Sequence, residues 1–216
     1  MNTKVRAWHN NGALKKKYLA RVARHRKADE LIHGVGWENG KGCAVGCTFH
    51  KYDHEAGAAE IGFPVQLIQL QDAIFEWLKN GDAQSWPEQF LGAARVGADL
   101  SMVWPKFALW MLRDRKSPVV VAAKSDAAVQ RSVRGVAKLY AEWVQTGERS
   151  SEDRWAAAVA AAWAAGDSAW AAGDSAWAAA QAAARAAAQA ADQAAARAAW
   201  CLSARNELLR LMKECR

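Results

Sequence analysis

The sequence has no run of about 18 apolar residues free of polar interruption, the length that a membrane-spanning helix needs, so no membrane span is expected. Its first residues, Met1 to His9, lack the apolar core of a secretory signal, which places the expected location in the cytoplasm. In a chain with no export signal the four cysteines are expected as reduced thiols. No stretch alternates apolar and polar residues convincingly, which argues against β-structure. Acidic residues are absent before Asp29, whereas nine Lys or Arg side chains fall between Lys4 and Lys27. A basic arm of this kind attracts nucleic acid or phosphorylated ligands. A solvated helix face accounts for Lys15, Lys16 and Lys17 equally well, and no nucleic-acid-binding signature accompanies the charge.

What the chain does contain is concentrated in Trp37–His54. Two cysteines, two histidines, two lysines, a glutamate and three glycines share these 18 residues. Glycine lets backbone turn or approach a neighbour closely. Cysteine, histidine, lysine and glutamate are the side chains that bind metals, attack carbonyls or hold anions. The segment therefore reads as a site.

The periodic segments fit 3.6 residues per turn, and the expected class is all-α. A helix is expected over 13–33, with Leu14, Tyr18, Val22 and Ile32 on one face. Arg21, His25 and Asp29 fall on that same face, where an unpaired polar group costs on the order of 1–3 kcal/mol. Further helices are expected over 53–61 and from Val65 to Leu78, the latter stopped by Asn80-Gly81-Asp82. Another should start at Ser85, with Glu88 three residues on as a capping box, and end near Val96-Gly97. Ser101 to Arg113 is expected to form an apolar helix that begins near Trp104 or bends at Pro105. The short run Val119-Val120-Val121 has no partner strand and is assigned to a helix over 118–146.

The composition then changes, which sets expected domains of 1–147 and 148–216. Between Ala156 and Ala199, 28 of 44 residues are alanine, the strongest helix former. Trp163, Trp170 and Trp177 recur at intervals of seven, eight residues after Trp155. One helix from Glu152 to Arg210 would run about 90 Å at ~1.5 Å per residue, so a break is expected at Gly166-Asp167-Ser168 or Gly173-Asp174-Ser175. The Ala/Trp-rich region suits a long helix or helical hairpin, and a face for homo-oligomers.

Three chemistries compete for Trp37–His54. Cys43, Cys47, His50 and His54 have zinc-ligand character. On a straight helix, however, positions 43 and 54 lie about 16 Å apart, so no metal or other cofactor is assigned. Gly36, Gly40, Lys41 and Gly42 resemble a phosphate loop that is one residue short and lacks its Ser or Thr. They can still form an anion-holding nest. Cys43 or Cys47 at a helix start is expected to have a lowered pKa, with His50 or His54 as base and Glu38 as orienter, the pattern of a nucleophilic enzyme.

The string His25-Arg26-Lys27-Ala28-Asp29, followed by Trp37-Glu38-Asn39-Gly40-Lys41-Gly42-Cys43-Ala44-Val45-Gly46-Cys47-Thr48 and an Ala/Trp-rich C-terminal repeat, resembles a family of bacterial and phage proteins whose activity is uncharacterised. The resemblance implies that His25, Asp29, Glu38, Asn39, Lys41, Cys43 and Cys47 belong to one site. Its phage association implies a counter-defence role, in the host cytoplasm. The expected function is binding of a small anionic, nucleotide-like ligand by Arg21, Lys41 and backbone N–H groups, with Trp37 stacking. Such a protein could sequester a signal molecule. The alternatives are a Cys/His-dependent enzyme and a nucleic-acid or host-protein binder acting through the basic N-terminal helix.

Overall fold

A computed structural model describes residues 6–124, 127–164 and 194–216. The described residues are overwhelmingly helical, with one two-stranded ribbon, so the protein is all-α as its periodicity predicts. Among them no helix is long and apolar enough to cross a membrane. Contacts divide the chain into two units, Met1–Trp104 with Cys201–Arg216, and Pro105–Trp200. The compositional boundary at 147/148 and this division follow different properties of the chain.

In the first unit, α1 (Gly12–Lys27) starts where the Asn11 side chain accepts from the N–H groups of Ala13 and Leu14. It ends six residues earlier than the periodicity predicts. Asp29 adopts a left-handed backbone, φ 54°. The Asp29 N–H bonds the Arg26 carbonyl at 3.2 Å and the Glu30 N–H bonds the His25 carbonyl at 3.0 Å. This is a Schellman termination, in which a left-handed residue turns the chain back over its last turn. Two corrections follow. Asp29 is exposed, and Leu31, not Ile32, is the buried residue beyond the helix.

The ribbon pairs β1 (Trp37–Glu38) with β2 (Lys41–Gly42) around Asn39 and Gly40, whose φ values are 49° and 82°. Positive φ at both central residues is the geometry that an Asn-Gly hairpin selects. Next come α2 (Ala44–Phe49) and α3 (His54–Ile61), the latter capped by Asp53 and closed by Gly62. Helix α4 (Val65–Trp77) follows Pro64 and buries Leu67, Ile68, Ile74 and Phe75.

Helix α5 (Asn80–Ala93) corrects a second expectation. Helix α4 does end at Trp77, next to the expected stop, but Asn80-Gly81-Asp82 is itself the first turn of α5, and Pro87 lies inside it. Ser85 does not cap; its hydroxyl donates to the Gly81 carbonyl at 2.8 Å. Tertiary packing outweighs the proline here. Trp86, Phe90 and Leu91 are fully buried, and the Trp86 indole N–H donates to the Gln71 carbonyl at 2.8 Å.

Helix α6 (Val103–Arg113) leads into the second unit. There the predicted 118–146 helix resolves into α7 (Pro118–Ala123) and α8 (Ala127–Thr146). The Lys124 N–H bonds the Val121 carbonyl at 3.2 Å, a tightening of the chain at the end of α7. Helix α9 (Glu152–Ala164) carries Trp155, fully buried with its ring centroid 4.8 Å from that of Tyr140. The expected break, and the side chains of Trp163, Trp170 and Trp177, lie outside the described residues. The last helix is α10 (Ala194–Glu214); its residues from Cys201 on belong to the first unit, where Leu208 and Met212 are buried and Arg205 pairs with Asp82 at 2.5 Å.

Candidate functional site

Backbone packing explains the glycines of the Gly36–Gly46 segment. The Cys43 N–H bonds the carbonyls of Val35 and Gly36, at 2.6 and 3.2 Å. A Cβ added at Gly46 would meet the Gly36 oxygen at 1.8 Å, and one at Gly42 would meet it at 2.3 Å. These glycines let one backbone segment lie directly on the start of α2. The expected anion nest is not formed at Gly42 and Cys43, because the Gly42 N–H donates to the Glu30 carbonyl at 3.0 Å and the Cys43 N–H is likewise engaged. What this packing does achieve is to place a side-chain cluster at each end of α2.

The cluster at the C-terminal end is basic. His50 ends α2 in a left-handed conformation, φ 57°, with its N–H on the Gly46 carbonyl. The Schellman turn of α1 brings its third-last residue, His25, beside Glu30. That pairing is usually apolar, but here His25 Nδ1 lies 2.6 Å from Glu30 Oε2. On its other edge, His25 Nε2 lies 2.9 Å from His50 Nε2. The Trp37 ring stacks on His50 at 4.8 Å and 9°, and meets His25 edge-on at 5.6 Å. Arg21 donates to the Thr48 carbonyl at 2.8 Å, in the last turn of α2, where a cation offsets unpaired carbonyls. Partial burial, then the charges of Arg21, His25 and Arg24, push the His50 pKa below its usual value. Two nitrogens facing each other at hydrogen-bond distance share one proton, so the Glu30–His25–His50 chain can pass a proton along it.

At the N-terminal end the chemistry is acidic. Cys43 caps α2, accepting from the Gly46 N–H at 3.5 Å. Its neighbour across the packing is Asp72 of α4, which is buried. Tyr52 donates to Asp72 Oδ2 at 2.8 Å, and His54 Nε2 lies 3.0 Å from the same oxygen. Burial acts to raise the Asp72 pKa, but His54, the Cys43 thiol and Tyr52 together hold it below the usual carboxylate value. One turn further along α4, Glu76 accepts from the Gly34 N–H at 2.9 Å. Burial and then the Asp72 charge push the Glu76 pKa up.

The residues singled out by sequence therefore separate. Arg21, His25, His50 and Trp37 come together. Cys43 lies in the other cluster. Glu38, Asn39 and Lys41 sit on the exposed hairpin, and Asp29 is exposed with Glu30 in its place against His25. The expectation of lowered cysteine pKa values is reversed: burial pushes both Cys43 and Cys47 up to about 12. Cys47 donates to the carbonyls of Gly42 and Glu30, at 3.4 and 3.5 Å, and ties ribbon to helix. The zinc set of Cys43, Cys47, His50 and His54 does not converge, since His50 meets His25, Cys47 donates to the Glu30 carbonyl, and Cys43 and His54 both face Asp72. The basic arm is partly committed: Lys15 donates to the carbonyls of Gly92 and Ala94 at 2.9 and 2.7 Å, and Arg26 pairs with Glu88 at 2.8 Å.

Sequence reasoning missed Glu30, Tyr52, Asp72 and Glu76. The signal for Asp72 was present, as an acid in the middle of the apolar Val65–Leu78 run, with Glu76 four residues on. Searches of family models, curated proteins and solved structures find no match to this chain.

Proposed function

We propose that the protein binds a small anionic ligand of the nucleotide type at the C-terminal end of α2, through Arg21, Arg24, His25 and His50, with Trp37 as the aromatic surface. The observation that supports this reading is the facing pair of imidazole nitrogens, 2.9 Å apart, beside two arginines. Such a pair resists a second proton until an anion arrives to balance it. A phosphate supplies that charge and accepts hydrogen bonds from imidazolium and guanidinium together. Binding without turnover suits a protein that sequesters a signal molecule, the role that the resemblance to phage proteins implies.

Calorimetric titration of adenosine monophosphate and of inorganic phosphate into the full chain tests the proposal. Both should bind more tightly at pH 6 than at pH 8, and His50→Ala should weaken both about tenfold or more. Trp37→Ala should weaken the nucleotide more than the phosphate, since base stacking is worth roughly 1–3 kcal/mol. Absence of binding at both pH values, or binding indifferent to His50→Ala, overturns the reading.

A second reading is favoured by the Glu30–His25–His50 chain, which has the base-and-orienter form of an acid–base enzyme. The nucleophile would then be water rather than cysteine, because both buried thiols are held protonated. Hydrolysis of a phosphate ester that is lost in His50→Ala supports this reading over simple binding.

A further inference from the structure

We propose that Cys43, Asp72 and Glu76 form a binding site for a divalent transition metal of the zinc class, with Tyr52, His54 and the Gly34 N–H as the outer groups that orient its two carboxylates. This goes beyond the anion site and does not depend on it.

The three donor atoms lie within 4.8 Å of one another. Zinc binds thiolate sulfur at about 2.3 Å and carboxylate oxygen at about 2.0–2.2 Å, so an ion seated among these groups needs only a small contraction of the cluster. An independent observation points the same way. Tyr52 and His54 both reach Asp72 Oδ2, while Oδ1 is buried with no hydrogen-bond partner among the described residues. Asp72 is only 8% exposed. A buried carboxylate oxygen without a partner is costly, and a metal ion satisfies it. Glu76 adds a second carboxylate one helical turn away on the same face of α4, and a cation between the two turns their repulsion into attraction.

The surroundings are built as metal sites are built. Ligating carboxylates are themselves hydrogen-bonded. Here Asp72 is held by Tyr52 and His54, and Glu76 by the Gly34 N–H. The donor chemistry selects the class. One thiolate and two carboxylates suit zinc, cobalt or a similar borderline ion better than magnesium or calcium, which prefer oxygen alone. Three protein ligands leave a fourth position for water, the pattern of an open rather than a closed structural site. On binding, the Cys43 thiol loses its proton to solvent and its sulfur lone pair forms the metal bond, with no change of oxidation state. Each metal bound therefore releases one proton, and affinity rises with pH.

Cobalt(II) is the probe, because a cobalt–thiolate bond gives a near-ultraviolet charge-transfer band. It is titrated at pH 7.5 into the full chain, kept reduced with a phosphine. The expected result is a band that saturates at one equivalent and is displaced by zinc. Cys43→Ser, which keeps a capping oxygen for the Gly46 N–H, should abolish the band. Glu76→Gln, an exposed change, should weaken binding about tenfold or more. His54→Ala should weaken it roughly 10–100-fold, as for loss of an orienting group. His50→Ala should leave it unchanged. Absence of cobalt binding, a band that survives Cys43→Ser, or binding lost in His50→Ala but kept in Glu76→Gln overturns the proposal.

Discussion

The two ends of α2 share six residues of helix and little else. At the C-terminal end, imidazoles and arginines gather around an exposed His50, and one carboxylate, Glu30, answers several positive groups. At the N-terminal end, a thiol and two carboxylates gather around a buried Asp72 oxygen, and His54 is the imidazole that answers them. One end has positive charge in excess, the other negative. The difference teaches how a short helix can separate two chemistries. Its length puts the clusters roughly 10 Å apart at ~1.5 Å per residue, and the Gly36 backbone lies between them on Gly42 and Gly46.

The comparison breaks most completely where both ends depend on one contact. Gly46→Ala places a methyl group 1.8 Å from the Gly36 oxygen, and the neighbour is backbone that cannot rotate away. Overpacking of this kind costs about 3 kcal/mol or more. Thermal melting should show that loss, and amide exchange should show the ribbon and α2 opening together. A variant with wild-type melting would mean that the two segments are not in contact.

Breaking one end at a time should give smaller effects. Asp72→Asn removes the charge that Tyr52 and His54 both engage, and should cost about 2 kcal/mol, as for hydrogen bonds to a buried charged group. The sign of its pH dependence follows from the depressed pKa of Asp72. Its contribution is fully present above the usual carboxylate value of the unfolded chain and is lost as pH falls through the lower folded one. Stability of the wild type, but not of Asp72→Asn, should therefore carry this loss in strong acid. Glu30→Gln acts on the other end alone. Its carboxylate is about one-third exposed, so the loss should be about 1 kcal/mol or less. Ligand affinity at His50 should change more than stability does. If Glu30→Gln instead destabilises as much as Asp72→Asn, the basic end is a structural network and not a binding site.

The helical class was legible because hydrophobic spacing at 3.6 residues survives in almost every element. The start of α3 at Asp53 and the run of α4 from Val65 also follow from local signals. What was not legible came from tertiary packing. Pro87 sits inside α5 because Trp86 and Phe90 anchor both of its flanks in the core, a gain that no local propensity records. Asp29 was placed on the buried face because its spacing from His25 is helical. The Schellman turn intervenes, and the residue that meets His25 is five along, not four. The Asn39-Gly40 pair was a hairpin signal passed over, since strands of two residues show no alternation. The site itself was half legible. Trp37–His54 supplies one side of both clusters, but the partners Glu30, Asp72 and Glu76 arrive from elements whose packing a linear sequence does not show.

The smallest expected effect concerns the proton shared at the basic end. The groups facing His50 are Arg21, Arg24 and His25, with Glu30 behind His25. Partial burial first, then the charges of Arg21, His25 and Arg24, push its pKa below the usual value against the opposing pull of Glu30, so the folded protein prefers His50 neutral. The unfolded chain then binds its proton first as pH falls. Stability is therefore fully present above the unfolded value and declines as pH falls through the lowered folded one. Chemical denaturation at pH 7.5 and pH 5.5 should show a larger loss in the wild type than in His50→Gln, which cannot titrate. Because the ring is largely open to water, the difference should be modest and should shrink as salt screens the neighbouring charges. Added phosphate should then reverse the trend at pH 5.5, since an anion favours the protonated pair. An equal pH dependence in the two proteins, with or without phosphate, would leave the imidazole pair as packing and remove the contrast between the two ends.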